Sequence, residues 1–482
     1  MVKKTKRQLM EDLVSLRQPE TKSLEVFSEV FAPQMAAFEK SPRARMLGGV
    51  SDNDKRVLGE CLTNYMLEAN NQANMGLDPV LALNVITSVF GNSVLPLFTS
   101  EQPLQDKQGV IYFENIISKS TRGNVTAGQK LAAGASAKEV YPTGFASDEL
   151  EMTATANDGK TVYTATLGKV RKNCVVVKAN GTVVATDNGS GAIMGVFGAK
   201  TITGTVTYTS GAVSVTFSAA LETTDVVTIV GATDFEEDGS LIPKINVEYD
   251  SRIVKAHTYL LQADTSILAS YISKKRLGID ANKRAVEVLQ QQILREITND
   301  AIKKIAVANM AYTTRTTDFS LTAPTGVSVQ AHYNSYNVKA HALAQNKMAD
   351  VSGKGNFQAM IADSAFCAFL TGLNEFKQEG TITDDPTYFG TLGGRYGNVK
   401  VVRAPQLDNF AVLNGKKGQA FCVYQNSKID AAAVFAPFMP VMVTNDIPVS
   451  DNLTQRRSLI ASMATTEVVV DKYIQRITLS ET

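Results

Sequence analysis

The chain has 482 residues, 44 % of them hydrophobic, enough for two or three domains of roughly 150 residues with a buried core, which excludes a disordered protein. Its 48 basic and 47 acidic residues leave a net charge of +1, so no overall field steers it towards nucleic acid or an anionic membrane.

Residues 1–68 read as charged, helical and loosely organised, with short apolar stripes (Leu9, Leu13, Val26, Phe27, Val30, Phe31) among Pro19, Pro33, Pro42 and Gly48-Gly49. An apolar stretch from Asp78 to Phe98 suits a helix stopped near Gly91. A strand is expected at Val110–Phe113, then a turn at Arg122-Gly123-Asn124 and a small-residue stretch from Ala127 to Lys138 too rich in Gly for a firm helix. From about Ser147 to Phe235 the composition shifts to Thr, Val, Ala and Gly. Asn180-Gly181 and Ser210-Gly211 lie between runs of alternating apolar residues, such as Val213, Val215 and Phe217, which is a hairpin signature. About seven short strands there suggest an inserted β-sandwich of immunoglobulin-like kind. Ile242–Val254 then returns as a strand, so 104–145 and 238–252 form two legs of one long hairpin.

A helix is expected through Leu260, Leu261, Ile267, Leu268 and Ile272, ended by Gly278. The long helix 281–307 follows. Val286, Leu289, Ile293, Ile297, Ala301 and Ile305 form its single apolar stripe, and Asp280 suits its N-cap. At ~1.5 Å per residue it spans roughly 40 Å, a beam across a larger body. Ala311–Tyr336 reads as a loop. A mixed α/β region follows, with helices at 339–348 and 364–373 and strands at 359–362, 399–402, 410–413 and 420–424. Thr465–Thr478 reads as a terminal strand.

Marks of catalysis are absent from the sequence. His257, His332 and His341 form no metal or triad motif. Gly189, Gly191 and Gly195 miss dinucleotide spacing, and Gly198-Ala199-Lys200-Thr201 lacks the glycine before the lysine of a phosphate loop. Glu236-Glu237-Asp238 and Asp384-Asp385 suit solvated loops, and Lys274-Lys275-Arg276 complements a helix C-terminus. Cys61, Cys174, Cys367 and Cys422 form no CxxC pair and read as free thiols in a reducing compartment. The charged N-terminus is no signal peptide. The most apolar run, Ala431–Val443, is shorter than the ~20 residues of a membrane span. No cofactor, metal or catalytic residue is therefore assigned, and the profile is that of a structural or assembly protein.

Four stretches carry a resemblance: Val254–Ile305 (VKAHTYLLQADTS...LGIDANKRAVEVLQQQILREITNDAIKKI), Leu392–Ala404 (LGGRYGNVKVVRA), Val434–Val443 (VFAPFMPVMV) and, by position, Val94–Glu114. In order and spacing they resemble the major capsid proteins of tailed bacteriophages, and among these the T-even branch, from about residue 55 to the end, the insert excepted. The resemblance implies an α+β, Hong Kong 97-type capsid fold with an inserted immunoglobulin-like β-sandwich. It implies a leader at 1–68, an N-terminal arm at 69–103, and an extended loop at 104–145 with 238–252. The insert takes 146–237. A peripheral domain with the spine helix takes 253–308 with 444–482, and an axial domain takes 309–443.

The implied function is self-assembly into hexamers of an icosahedral or elongated head shell around DNA, which touches the inner face non-specifically. The implied partners are scaffold, portal, prohead protease and vertex or decoration proteins, with assembly in the host bacterial cytoplasm and no membrane. A protease of such phages cuts after Glu, which offers Glu60–Cys61 (in Leu58-Gly59-Glu60) and Glu68–Ala69, the latter with Met66 where Leu or Ile is expected; Leu9-Met10-Glu11 also fits. The alternatives are a cellular nanocompartment shell of the same fold and another virion component such as a fibre or tail protein.

Overall fold

The computed structural model describes residues 31–71, 86–131, 139–157, 159–378, 391–410, 413, 415–449 and 452–480. Two compact units emerge: Met1–Phe113 with Tyr249–Thr482, and Glu114–Glu248.

In the first unit the described residues begin with helices α1 (Ala32–Glu39), α2 (Pro42–Leu47) and α3 (Asp52–Asn71). Ser41 caps α2 by accepting from Ala44 N at 3.3 Å, and Gly48 closes it at φ 77°. Ser51 and Asp54 form a reciprocal cap on α3: Ser51 N donates to Asp54 Oδ2 at 3.0 Å and Asp54 N to Ser51 Oγ at 3.2 Å. Phe31, Met35, Phe38, Val57, Leu58, Leu62 and Tyr65 are buried in the same core as the long central helix. The expectation of a loose leader therefore fails over residues 31–66. Charge counting missed an apolar stripe at Val57, Leu58, Cys61, Leu62 and Tyr65 on one side of α3. A helical turn at 86–91 follows; a Cβ on Gly91 would lie 2.7 Å from Ser41 Cβ, so only glycine allows this approach. The earlier part of the expected 78–98 helix lies outside the described residues.

Strand β1 (Ser100–Glu101) is followed by β2 (Gln108–Ser118), which carries the chain into the second unit. There, a small element around Val125, Leu131 and Phe145 precedes nine strands: β3 (Glu149–Thr153), β4 (Thr155–Asn157), β5 (Val162–Thr166), β6 (Val176–Ala179), β7 (Thr182–Asp187), β8 (Ala192–Phe197), β9 (Lys200–Thr207), β10 (Ala212–Phe217) and β11 (Val227–Ala232). They form one hydrogen-bonded sheet in the order β3-β11-β6-β7-β8-β9-β10-β5-β4. Its edge strands β3 and β4 are separated in the chain by Ala154 alone, so the sheet curls back on itself. Tyr163, Val177, Ile193, Ile202, Val215, Phe217 and Ile229 fill its inside. Asn180 (φ 49°) and Gly181 (φ 80°) make the expected hairpin turn between β6 and β7. The expectation of about seven strands becomes nine in a continuous sheet, because hairpins from β6 to β10 keep the pairing unbroken.

The return strand β12 (Ile245–Lys255) pairs with β2 as a two-stranded ribbon. Lys119 N donates to Lys244 O at 2.8 Å and Ala256 N to Lys107 O at 2.8 Å, which fixes an antiparallel register. Then come β13 (His257–Ser266), α4 (Ile267–Leu277) and α5 (Ala281–Met310). Here the helix expected to include Leu260 and Leu261 is corrected. Tyr259, Leu261 and Ala263 are half-buried and alternate with exposed Leu260, Gln262 and Asp264, a strand period of two. In α5, Val286, Leu289, Ile293, Ile297, Ala301 and Ile305 are all buried, as their spacing predicts. Asp280 accepts from Asn282 N and Lys283 N, and Gly278 ends α4 at φ 67°. The 30 residues of α5 span about 45 Å at ~1.5 Å per residue.

The rest of this unit has β14 (Thr316–Ser320) and α6 (Val329–Asn334) in the stretch expected to be a loop. Next come α7 (Ala342–Ser352), β15 (Ala359–Ala362), α8 (Ser364–Thr371), β16 (Phe376–Gln378), β17 (Thr391–Tyr396), β18 (Val399–Arg403) and β19 (Gln419–Val423). The chain closes with β20 (Ala433–Val449), β21 (Asn452–Val468) and β22 (Ile474–Ser480). Two sheets result. One has four strands, β1-β20-β21-β13, with α5 packed on β21 and β13. The other has seven, β14-β22-β19-β15-β18-β17-β16. The terminal strand expected at 465–478 is split between them, because a 3-10 turn at Asp471–Tyr473 sends β22 to pair with β19 and β14. Of the strand expected at 410–413, residues 411–412 lie outside the described residues; Phe410 follows a 3-10 turn over Pro405–Asn409 and Leu413 is in a second turn.

Candidate assembly surfaces

Helix α4 has no buried residue. Leu268 is 68 % exposed, Tyr271 61 %, Ile272 53 % and Leu277 70 %. Positions 268, 271 and 272 share one helix face, so α4 offers water an apolar stripe followed by Lys274, Lys275 and Arg276. An 11-residue helix is marginal alone, and the gross gain from covering four such side chains is about 6–12 kcal/mol. The ribbon does likewise. Val110, Tyr112, Ile245, Val247, Tyr249 and Ile253 are exposed on β2 and β12. Apolar surface of this extent is characteristic of interaction faces. The sequence located both elements but carries no signal of their exposure, since an apolar stripe reads alike whether its own chain or another covers it.

A buried ionic cluster ties the N-terminal helices to the core. Arg43, 1 % exposed, donates from Nη1 to Glu101 Oε1 at 3.0 Å and from Nη2 to Glu101 Oε2 at 2.7 Å and Asp54 Oδ1 at 2.5 Å. Its guanidinium also lies 5.4 Å from the Phe38 ring centre and 5.7 Å from that of Phe90. Burial alone would weaken its protonation, but Glu101 and Asp54 outweigh that and raise its pKa. No sequence motif announced this cluster.

Both cleavage candidates fall within α3. Cys61 is 0 % exposed, as are Leu58 and Leu62, and Glu60 pairs with Arg56 at 3.6 Å. The Cys61 thiol is pushed up by burial, then by Glu60 and Glu101. Glu68 and Ala69 lie in the last turns of the helix. Leu9-Met10-Glu11 lies outside the described residues.

The residues singled out for chemistry do not converge. His332 is buried against Phe319 with Nε2 2.7 Å from Ser320 O, His341 is buried beside Phe357 and Tyr396, and His257 is exposed at the start of β13. Gly198-Ala199-Lys200-Thr201 makes the β8–β9 hairpin. Asp238 caps its own turn, accepting from Ser240 N at 3.0 Å, and Asp384-Asp385 lies outside the described residues. Among the described residues no group of three His, Cys, Asp or Glu side chains could hold a metal, and no helix is long and apolar enough to cross a membrane.

No curated protein matches the sequence significantly. Among solved structures, the capsid of jumbo bacteriophage PhiKZ is similar at 8 % identity and a TM-score of 0.35, over 80 % of this chain and 92 % of that one. The capsid of Myoviridae phage XM1 aligns at 9 % identity and 0.32, over 70 % and 94 %. The SrpI encapsulin of Synechococcus elongatus aligns at 9 % and 0.29, over 48 % and 77 %. These likenesses are loose; the assignment rests on the sequence family, whose model, major capsid protein Gp23, matches residues 76–478. The chain belongs to the Gp23 major capsid protein family and is a capsid subunit of a tailed bacteriophage.

Proposed function

We propose that this subunit assembles through hexamers into an icosahedral or elongated head shell of Hong Kong 97-type architecture. The uncovered apolar stripe of α4, on a chain whose family builds capsids, carries the reading. The ribbon with its flanking segments (104–145, 238–252) acts as the extended loop that overlaps a neighbour. Residues 253–308 with 444–482 act as the peripheral domain and 309–443 as the axial domain. Residues 69–103 serve as the arm. Residues 146–237 are an inserted β module displayed outside, a role supported by their separate closed core. Long overlapping arms suit a shell because they bury area only after correct docking, so early errors can anneal.

Assembly takes place in the host cytoplasm with scaffold, portal, prohead protease and vertex or decoration proteins. The chemistry of the subunit is binding, with no catalytic step. Of the two processing bonds, Glu68–Ala69 is favoured. A protease needs extended chain, and the last turns of a helix fray, whereas Glu60–Cys61 opens only if the buried middle of α3 unfolds. Mass spectrometry of heads should give a mature N-terminus at Ala69; Cys61 or an intact Met1 would overturn that choice.

The assembly claim is tested by expressing the full chain alone and imaging it by negative-stain electron microscopy. Closed shells, tubes or hexagonal sheets support it. A small, well-defined oligomer that is neither pentamer nor hexamer counts against it.

A further inference from the structure

A cleft of 690 Å³ opens in the first unit beside the β14 edge of the seven-stranded sheet. Its cations are Arg476 on β22 and Lys416 and Lys417 on an exposed turn between Gly415 (φ 69°) and Gly418 (φ 76°). Asp318, its one acid among the described residues, is hydrogen-bonded by Thr478 Oγ1 across the β14–β22 pair. Gln419, 3 % exposed, also lines it, and among the described residues its Oε1 has no hydrogen-bond partner. Amide orientation is a choice of the network, so this group can turn either end to a ligand.

Arg476 is the informative residue. Its Nε and Nη2 both donate to Thr316 Oγ1, at 3.2 and 2.9 Å, and its Nη1 contacts Met310 Sδ. A guanidinium has five N–H donors, and among the described residues its hydrogen bonds go to neutral atoms only. A latch between β14 and β22 explains the Thr316 contact. It does not explain why a half-buried cation faces an open cleft with two further cations. Burial also lowers the Arg476 pKa, with Asp318 opposing, so a facing anion stabilises the charge.

We propose that this cleft binds the phosphate groups of a nucleic-acid backbone, with Lys416, Lys417 and the free N–H groups of Arg476 as donors. A carboxylate is the poorer fit. The Nε–Nη2 edge that would grip it bidentately is occupied by Thr316 Oγ1, which leaves single-point donors beside the two lysine charges that line the same cleft. The shell reading supplies only the source of the polyanion, the enclosed genome. The site itself is tested on unassembled chain, so a missing lattice and a missing site are distinguishable.

Full-length unassembled protein is titrated against a fluorescein-labelled 12-base-pair DNA duplex at 50 and 200 mM salt, beside the K416E/K417E variant. Both lysines are exposed on a glycine-flanked turn, and an unchanged circular dichroism spectrum checks the fold. The variant is expected to bind at least ~10-fold more weakly and with a log-log salt slope smaller by about 2. Inorganic phosphate should compete with the duplex for the parent and not for the variant. Equal affinity and slope in parent and variant, or no binding by the parent, would overturn the proposal. Tighter binding of a polyglutamate peptide than of DNA would overturn the nucleic-acid assignment.

Discussion

Replacing Arg43 with Met should destabilise the first unit by about 3–5 kcal/mol, the usual cost of leaving a buried charge without its partner. Asp54 keeps two other donors, Ser51 N at 3.0 Å and Ser51 Oγ at 2.6 Å, so its loss is partial. Glu101 is 3 % exposed, and among the described residues its side chain is hydrogen-bonded by Arg43 alone. Most of the cost therefore falls on Glu101. Met fills much of the space between the Phe38 and Phe90 rings, so a cavity adds little. The double variant R43M/E101M should recover most of the loss, since replacing a whole buried ion pair by apolar side chains is close to neutral. Urea unfolding of the unassembled chain, with equal slopes, reads both differences. An R43M loss under about 1 kcal/mol, or a double variant as unstable as R43M, would refute the reasoning.

Other consequences follow from separate parts of the molecule. L268D/Y271D should leave the subunit as stable as the parent, because both side chains are exposed, yet abolish shells and sheets in electron micrographs. Burial lowers the His341 pKa below 6.5 against an opposing effect of Glu375, so the folded state holds the neutral ring. That contribution is complete above pH 6.5 and is lost as pH falls from there towards the folded pKa. The parent should thus lose more stability than H341Q between pH 7.5 and 5.5 in urea melts. In the second unit, Tyr208 Oη donates to Asp187 at 2.7 Å and accepts from Gly191 N at 2.9 Å, while Asp187 keeps bonds from Asn173 N and Gly189 N. Y208F should destabilise the second unit, measured as a shift of the transition reported by hydrogen exchange in residues 149–232.

The sequence revealed most where one period ran long enough to settle the element. The α5 stripe and its Asp280 cap, the Asn180-Gly181 hairpin and the buried strand at 359–362 were all legible, because local spacing or turn chemistry decides them. Leu260 and Leu261 misled because two adjacent leucines fit a helix as well as a strand, and only pairing with β21 selects the strand. The break of 465–478 into two sheets was hidden because Val468 to Tyr473 contains no Gly or Pro. Residues 31–66 were underrated because Arg43 has meaning only once Asp54 and Glu101 are beside it, and Glu101 is 58 residues away. The exposed face of α4 escaped notice for a related reason: an apolar stripe looks the same in sequence whether its own chain or another covers it.

Cryo-electron microscopy of the assembled protein, at a resolution that shows side chains, tests the central claim most directly. The account predicts that Leu268, Tyr271 and Ile272 on α4, and Tyr249 and Ile253 on β12, lose their exposure against neighbouring subunits. A closed lattice in which those residues still face solvent would contradict it.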